Sequence, residues 1–258
     1  MNEVAQIDLI SNKSFHKAYD YLSFETTVLL GEDTEGQLVL DDLESMRHLL
    51  IAGACGSGKT VCINSMIVSM LLGCSLEKIK FIMIDPKAVE LHMYKRLRHL
   101  IYPIITDSKQ AVEALEWAVN EMDRRYENSS VNAPKIVIVI DEVVDLLNSS
   151  RESIEKLLLQ ILEKGSEVGI HLIMSAQNPT SEALSGILAR GVPSRICLRM
   201  ISADASKTVL GISGGEKLRG NGDMLFMPFG ATEPIRIQGA YIWDEEIKAV
   251  VNSFYTDK

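Results

Sequence analysis

Apolar positions in this chain follow two periods in turn. Mostly apolar runs of strand length fall at 49–52, 80–84, 135–140, 169–175 and 195–200. Between several of them the apolar residues move to helical spacing. Ile63, Met66, Ile67, Met70 and Leu71 mark a helix over 61–72. Ala111, Leu115, Ala118, Val119 and Met122 mark one over 109–126, and Leu157, Leu158, Ile161 and Leu162 mark one over 153–164. Ile136, Val137, Ile138, Val139 and Ile140 leave no polar face, which suits a parallel strand buried on both sides. Strands alternating with helices predict an α/β fold with a doubly wound, mostly parallel sheet and right-handed crossovers. Two hairpins flank this pattern. One joins 27–30 to 37–40 through a polar, acidic turn, and the other joins 224–227 to 235–241 around Pro228, Phe229 and Gly230. The short apolar stretch 100–105 is interrupted by Pro103, 128–134 reads as a polar loop, and 1–26 reads as an arm or linker.

Composition narrows the picture slightly. The chain has 258 residues, 47% hydrophobic and 24% charged, which is ordinary for a globular protein. No apolar run reaches the roughly 18 residues of a membrane helix, and the N-terminus has no signal-peptide pattern. Cys55, Cys62, Cys74 and Cys197 have no CxxC spacing, so free thiols in a reducing cytoplasm are expected. The net charge of −9 weighs against a uniformly basic nucleic-acid binder but leaves room for a local basic surface.

The chemistry concentrates after the run 49–52. Gly53, Ala54, Cys55, Gly56, Ser57, Gly58, Lys59 and Thr60 fit G-x-x-x-x-G-K-[ST], with Val61 opening the helix behind them. Strand, glycine-rich turn and helix start are the order a polyphosphate site requires. Backbone N–H groups and the positive end of the helix face the phosphates, and the glycines let the backbone approach them. Lys59 is expected on the β- and γ-phosphates and Thr60 on Mg²⁺, with ATP as the nucleotide. Asp141 and Glu142 end the strand 135–140. Asp141 suits the metal, and Glu142 suits a general base that polarises the attacking water. Gln177 ends the next buried strand, where a glutamine can orient that water, although taken alone it is also an ordinary loop residue.

Several blocks together resemble the motor domain of the FtsK/SpoIIIE DNA translocases. They are Met46 to Gly53, Gly56 to Val61, Ile84-Asp85-Pro86-Lys87, Glu121 to Tyr126, Asp141-Glu142, Gly169 to Ile173, Val192 to Ile196 and Gly222 to Leu225. The resemblance runs from about Thr27 to Val251, so the motor domain is expected over 27–258. It implies a RecA-like P-loop NTPase fold, a homo-hexameric ring, and ATP-driven movement of double-stranded DNA, as in chromosome segregation or conjugative transfer. It also implies Asp141 and Glu142 as the Walker B pair and Gln177 as the sensor. Pore loops would come from 89–99, with Lys95, Arg96 and Arg98 on DNA phosphates, and from 179–190. Lys95, Arg96 and Arg98 equally fit a solvated basic turn.

The chain departs from the family pattern at three places. Ser166 stands where the family has an arginine that acts on a neighbour's nucleotide, which leaves Arg195 or Arg190 as substitutes, with Lys164 nearby. Asn178 stands where the family has arginine in Gln-Arg-Pro. The chain ends at Lys258 without a winged-helix DNA-reading domain or membrane segments, so any membrane attachment is expected through segments absent from it. Two other readings share the ATPase core. One is a type VII secretion-like ATPase that moves protein, and the other is an ATP-binding module with little turnover.

Overall fold

The computed structural model describes residues 4–22, 26–128, 133–180 and 182–254, with the side chains of 4–5 and 189–190 outside the description. In chain order the elements are α1 (Val4–Ile7), α2 (Lys13–Ala18), β1 (Thr27–Asp33), β2 (Leu38–Asp42), α3 (Leu43–Met46), β3 (Leu49–Ala52) and α4 (Lys59–Gly73). There follow β4 (Ile79–Ile84), α5 (Ser108–Asn128), β5 (Lys135–Ile140), α6 (Val143–Lys164), β6 (Ile170–Ala176) and α7 (Glu182–Arg190). The chain continues through β7 (Ser194–Leu198), α8 (Ala203–Leu210), β8 (Asp223–Met227), β9 (Ile235–Gly239) and α9 (Asp244–Ser253).

Among the described residues the strands form one nine-stranded sheet in the order β2-β1-β9-β8-β7-β3-β6-β5-β4. From β7 to β4 neighbours are parallel. From β7 outward to β2 they are antiparallel. The two hairpins are therefore one continuous extension of the central sheet. The pairing of β1 with β9 joins them, and Gly31 makes it fit: a Cβ there would lie 2.0 Å from the Gln238 carbonyl oxygen.

The unbroken apolar strands are explained by two buried faces. Ile136, Ile138 and Ile140 pack with α5, α6 and α7, together with Ala118, Leu158 and Ile187. Val137 and Val139 point the other way, into a core that holds Ile63, Met66 and Ile67 of α4 and Ile247, Val250 and Val251 of α9. Side chains alternate across a strand, so a strand covered on both faces is apolar at nearly every position.

The described part of the segment expected as an arm is packed onto the domain. Ile7, Ile10, Phe15, Ala18 and Leu22 are buried in the same core as α4. The apolar residues of 4–22 are spaced irregularly, and their burial depends on the distant surface they meet. Helix α6 begins ten residues before the expected 153, with a break at Ser150 (φ −156°, ψ 59°) that interrupts the periodicity. The stretch 100–105 makes isolated parallel bridges from Leu100 to Phe81 and from Ile105 to Ile84. Pro103, which has no N–H, lies between them.

Candidate nucleotide site

The glycine-rich loop hangs from the C-terminal ends of three neighbouring strands. β3 lies between β6 and β7, with Ala52 opposite Ala176 and Cys197. Gly53 N–H donates to the Ala176 carbonyl at 3.1 Å and Ala54 N–H to the Arg199 carbonyl at 2.8 Å. Gly58, at φ +109°, opens α4 with no side-chain cap and no acidic residue in the first turn. The amide end of this helix is thus left for an anion. Lys59 Nζ donates to the Gly53 carbonyl at 2.7 Å and to the Ala54 carbonyl at 3.2 Å. Burial lowers the pKa of Lys59, and the carboxylates of Glu142 and Asp141 oppose that shift.

Across the cavity stand Asp141 and Glu142, each only 7% exposed. Ser175 links them. Its hydroxyl donates to Asp141 Oδ1 at 2.9 Å and accepts from Glu142 N–H at 2.9 Å. Gln177 N–H donates to the Glu142 carboxylate, 2.9 Å to Oε2 and 3.2 Å to Oε1. Glu142 sits at φ +55° and ψ +69°, a left-handed conformation that costs a non-glycine residue about 1–2 kcal/mol. Both carboxyls titrate above their ordinary range, chiefly through burial. The Ser175 hydroxyl pulls Asp141 back down, and the Gln177 N–H does the same for Glu142.

Three residues here are among those to which sequence reasoning assigned no role. Ser175 is one, because a serine inside an apolar strand carries no signal of what faces it. Lys87 and Asp145 are the others, paired at 3.0 Å between the β4 loop and α6. Asp85, within a block singled out for family resemblance, anchors that same loop. Its Oδ2 accepts from the N–H groups of Glu90 and Leu91, at 2.9 and 3.0 Å.

The glycine-rich loop and the two carboxylates face one cavity of about 440 Å³, a size suited to a small-molecule ligand. Lys59, Thr60, Asp141, Glu142 and Gln177 all line it. Thr60 and Asp141 offer hard oxygen donors on the same cavity. A pair of protein oxygens that leaves the remaining positions to phosphate and water suits Mg²⁺. Among the described residues no three His, Cys, Asp or Glu side chains are placed to hold a metal ion. The far wall is Asn221, Gly222 and Gln238 to Tyr241, which the sequence did not assign.

The other expected residues lie apart from the cavity. Lys95, Arg96 and Arg98 are exposed, interleaved with buried Tyr94, Leu97 and His99. Arg195 is committed within its own chain. It donates to the carbonyls of Val192 at 2.9 Å and Val209 at 3.0 Å, and burial lowers its pKa. Arg190 ends α7, and its side chain lies outside the described residues. Ser166 sits in the short 3₁₀ turn Gly165–Val168 that leads into β6.

Strand order, loop and paired carboxylates define a P-loop NTPase. The chain belongs to the FtsK/SpoIIIE family, whose pattern matches residues 7–132, beginning inside the segment expected as an arm. It is 43% identical over 261 residues to the DNA translocase FtsK of Caldanaerobacter subterraneus subsp. tengcongensis, which covers 95% of this chain and 36% of that protein. It is 37% identical over 281 residues to the DNA translocase SpoIIIE of Bacillus subtilis, 98% of this chain and 36% of that protein. This chain thus spans about a third of the length of these relatives. Among solved structures, the cytoplasmic domain of the type VII secretion ATPase EccC of Thermomonospora curvata superposes with a TM-score of 0.75 and 26% identity, over 89% of this chain and 31% of that one. The pCW3 conjugation coupling protein TcpA, in its monomer form with ATPγS, superposes with a TM-score of 0.74 at 22% identity, over 89% of this chain and 71% of that one. The fold is that of these mixed α/β ATPases.

Proposed function

We propose that this chain is an ATP-hydrolysing motor domain that moves double-stranded DNA and works in a ring of like subunits. The observation that carries the reading is the single cavity bounded by Lys59 and Thr60 on one side and by buried Asp141 and Glu142 on the other. The relatives named DNA translocases support the choice of substrate.

The residues divide the work. The loop amides and Lys59 bind the polyphosphate, with Lys59 exchanging its contacts to its own loop carbonyls for phosphate oxygens. Thr60 and Asp141 would hold Mg²⁺, which when bound supplies positive charge against that building on the phosphate oxygens. Glu142 takes the proton of the attacking water. Burial makes it a stronger base than a free glutamate, and the Gln177 N–H fixes its direction. The exposed cations Lys95, Arg96 and Arg98 would meet DNA phosphates, a contact blind to base sequence and weakened by salt.

A ring motor completes its site with a cation from the neighbour, worth about 10³–10⁵ in rate. Ser166 carries no charge, and Arg195 would first have to leave two backbone carbonyls. Turnover of the isolated chain is therefore expected to be slow and to rise with protein concentration. The deciding experiment is ATPase rate with and without duplex DNA at two salt concentrations. Stimulation that fades with salt supports the motor reading. The likeness to EccC favours one alternative, a protein cargo, and hydrolysis indifferent to DNA would favour it. No turnover at any concentration would leave an ATP-binding module.

A further inference from the structure

The sheet gives the cavity a direction. β6 and β5 lie to one side of the loop strand β3, and they deliver Gln177, Asp141 and Glu142. β7, β8 and β9 lie to the other side, and the end of β9 delivers Gly239, Ala240 and Tyr241 to the same cavity. A nucleotide laid along the loop with its terminal phosphate at Glu142 has its base on the β9 side. There Tyr241 lines the cavity while remaining 45% exposed, and its ring meets that of Trp243, 55% exposed, edge to face at 4.7 Å.

This aromatic pair is held from the other end of the chain. Asn12 Nδ2 donates to the Tyr241 carbonyl at 2.7 Å. Glu246, only 9% exposed, accepts from Ser11 N–H at 2.7 Å and from the Ser11 hydroxyl through Oε1, and from Trp243 N–H at 2.9 Å through Oε2. The bend that presents Tyr241 is thus braced by the N-terminal segment.

We propose that Tyr241, backed by Trp243 and braced through Asn12 and Glu246, is the nucleobase subsite of this cavity; the inference rests on the phosphate-loop reading above. Its recognition is by stacking. Of the two side-chain amides on this wall, Asn221 and Gln238, Gln238 is committed to its own chain, with Nε2 donating to the Asn221 carbonyl at 2.8 Å. A ring face accepts any purine, so discrimination between ATP and GTP is modest.

The test is calorimetric titration of the full chain with ATP, GTP and inorganic tripolyphosphate in the presence of Mg²⁺. ATP and GTP should bind within about tenfold of each other, and both more tightly than tripolyphosphate. Tyr241→Ala should weaken both nucleotides about tenfold or more, leave tripolyphosphate unchanged, and be matched in direction by Trp243→Ala. Tyr241→Phe should restore nucleotide affinity. Asn12→Ala should raise KM for ATP with kcat unchanged, and a fall in kcat alone would remove the brace. An unchanged ratio of ATP to tripolyphosphate affinity in Tyr241→Ala overturns the subsite, and discrimination of ATP from GTP by more than about a hundredfold overturns the stacking mode. Lys59→Ala separates the two readings. If it weakens all three ligands while Tyr241→Ala weakens none, only the subsite fails. If it weakens none, the phosphate-loop reading itself fails.

Discussion

The two flanks of the cavity are built on opposite principles. The flank of β5 and β6 is buried, charged and strained: two carboxyls at 7% exposure, one of them on a residue with a left-handed backbone. The flank of β9 is open and aromatic, and a segment from the far end of the chain holds it in place. Groups that change protonation during a reaction gain from burial, because the low-dielectric surroundings shift their pKa toward the working range. A surface that only stacks needs area and position. The contrast implies that changes on one flank should move turnover and changes on the other should move affinity.

The largest expected effect is on the first flank. Glu142→Gln should lower kcat by about 10²–10⁴ while ATP binding persists, since Lys59 and Asp141 remain. Equal loss of binding and turnover would break the division between the flanks. The parent enzyme supplies a pH test of the same residue. The proposed base role requires Glu142 unprotonated, and its pKa is raised, so turnover should fall on acidification at a higher pH than an exposed glutamate would give.

Lys59→Ala comes next. Hydrogen bonds from a charged group contribute about 1.5–3 kcal/mol each, so ATP affinity should fall by about tenfold to a hundredfold, with the melting temperature unchanged. Parent-like affinity measured by calorimetry would take Lys59 out of the site.

Gly58→Ala probes the seam between the flanks. Its Cβ would lie 2.7 Å from the Gly222 nitrogen, on a residue at φ +109°, and Gly222 N–H donates to the Ser57 carbonyl at 3.0 Å. The loop should separate from the β8–β9 wall, at a stability cost of about 1–3 kcal/mol in chemical denaturation, with weaker binding of ATP and tripolyphosphate alike. A variant of full stability and affinity would show that the two walls are not coupled there.

The smallest effect lies under the sheet. His48 is buried against His171, and burial, with the charges of His171 and Arg47, pushes its pKa down from 6.5 to about 3. Its unfolded form binds a proton below about pH 6.5, while the folded form stays neutral until near pH 3. Stability is therefore fully present above pH 6.5 and declines as pH falls through that window, by at most about 1.4 kcal/mol per pH unit. Denaturation midpoints at pH 7.5 and pH 5, with His48→Gln as the flatter comparison, test this.

What the sequence determined by itself was everything carried by short-range pattern. The loop 53–60, the apolar strand that ends in Asp141 and Glu142, and both hairpins are contiguous, so spacing alone exposes their geometry. Tertiary structure decided what depends on which strand lies beside which. Ser175 bridges the two acids because β6 pairs with β5. Tyr241 reaches the cavity because β9 is bound between β8 and β1. Arg195 donates to the Val209 carbonyl because the end of α8 lies within reach of its guanidinium. Ile7, Ile10, Phe15, Ala18 and Leu22 became part of the core because the buried surface that receives them comes from α4, β1 and α9. In each case the deciding contact joins positions far apart in the chain, and a local pattern of hydrophobic and polar residues holds no record of such a neighbour.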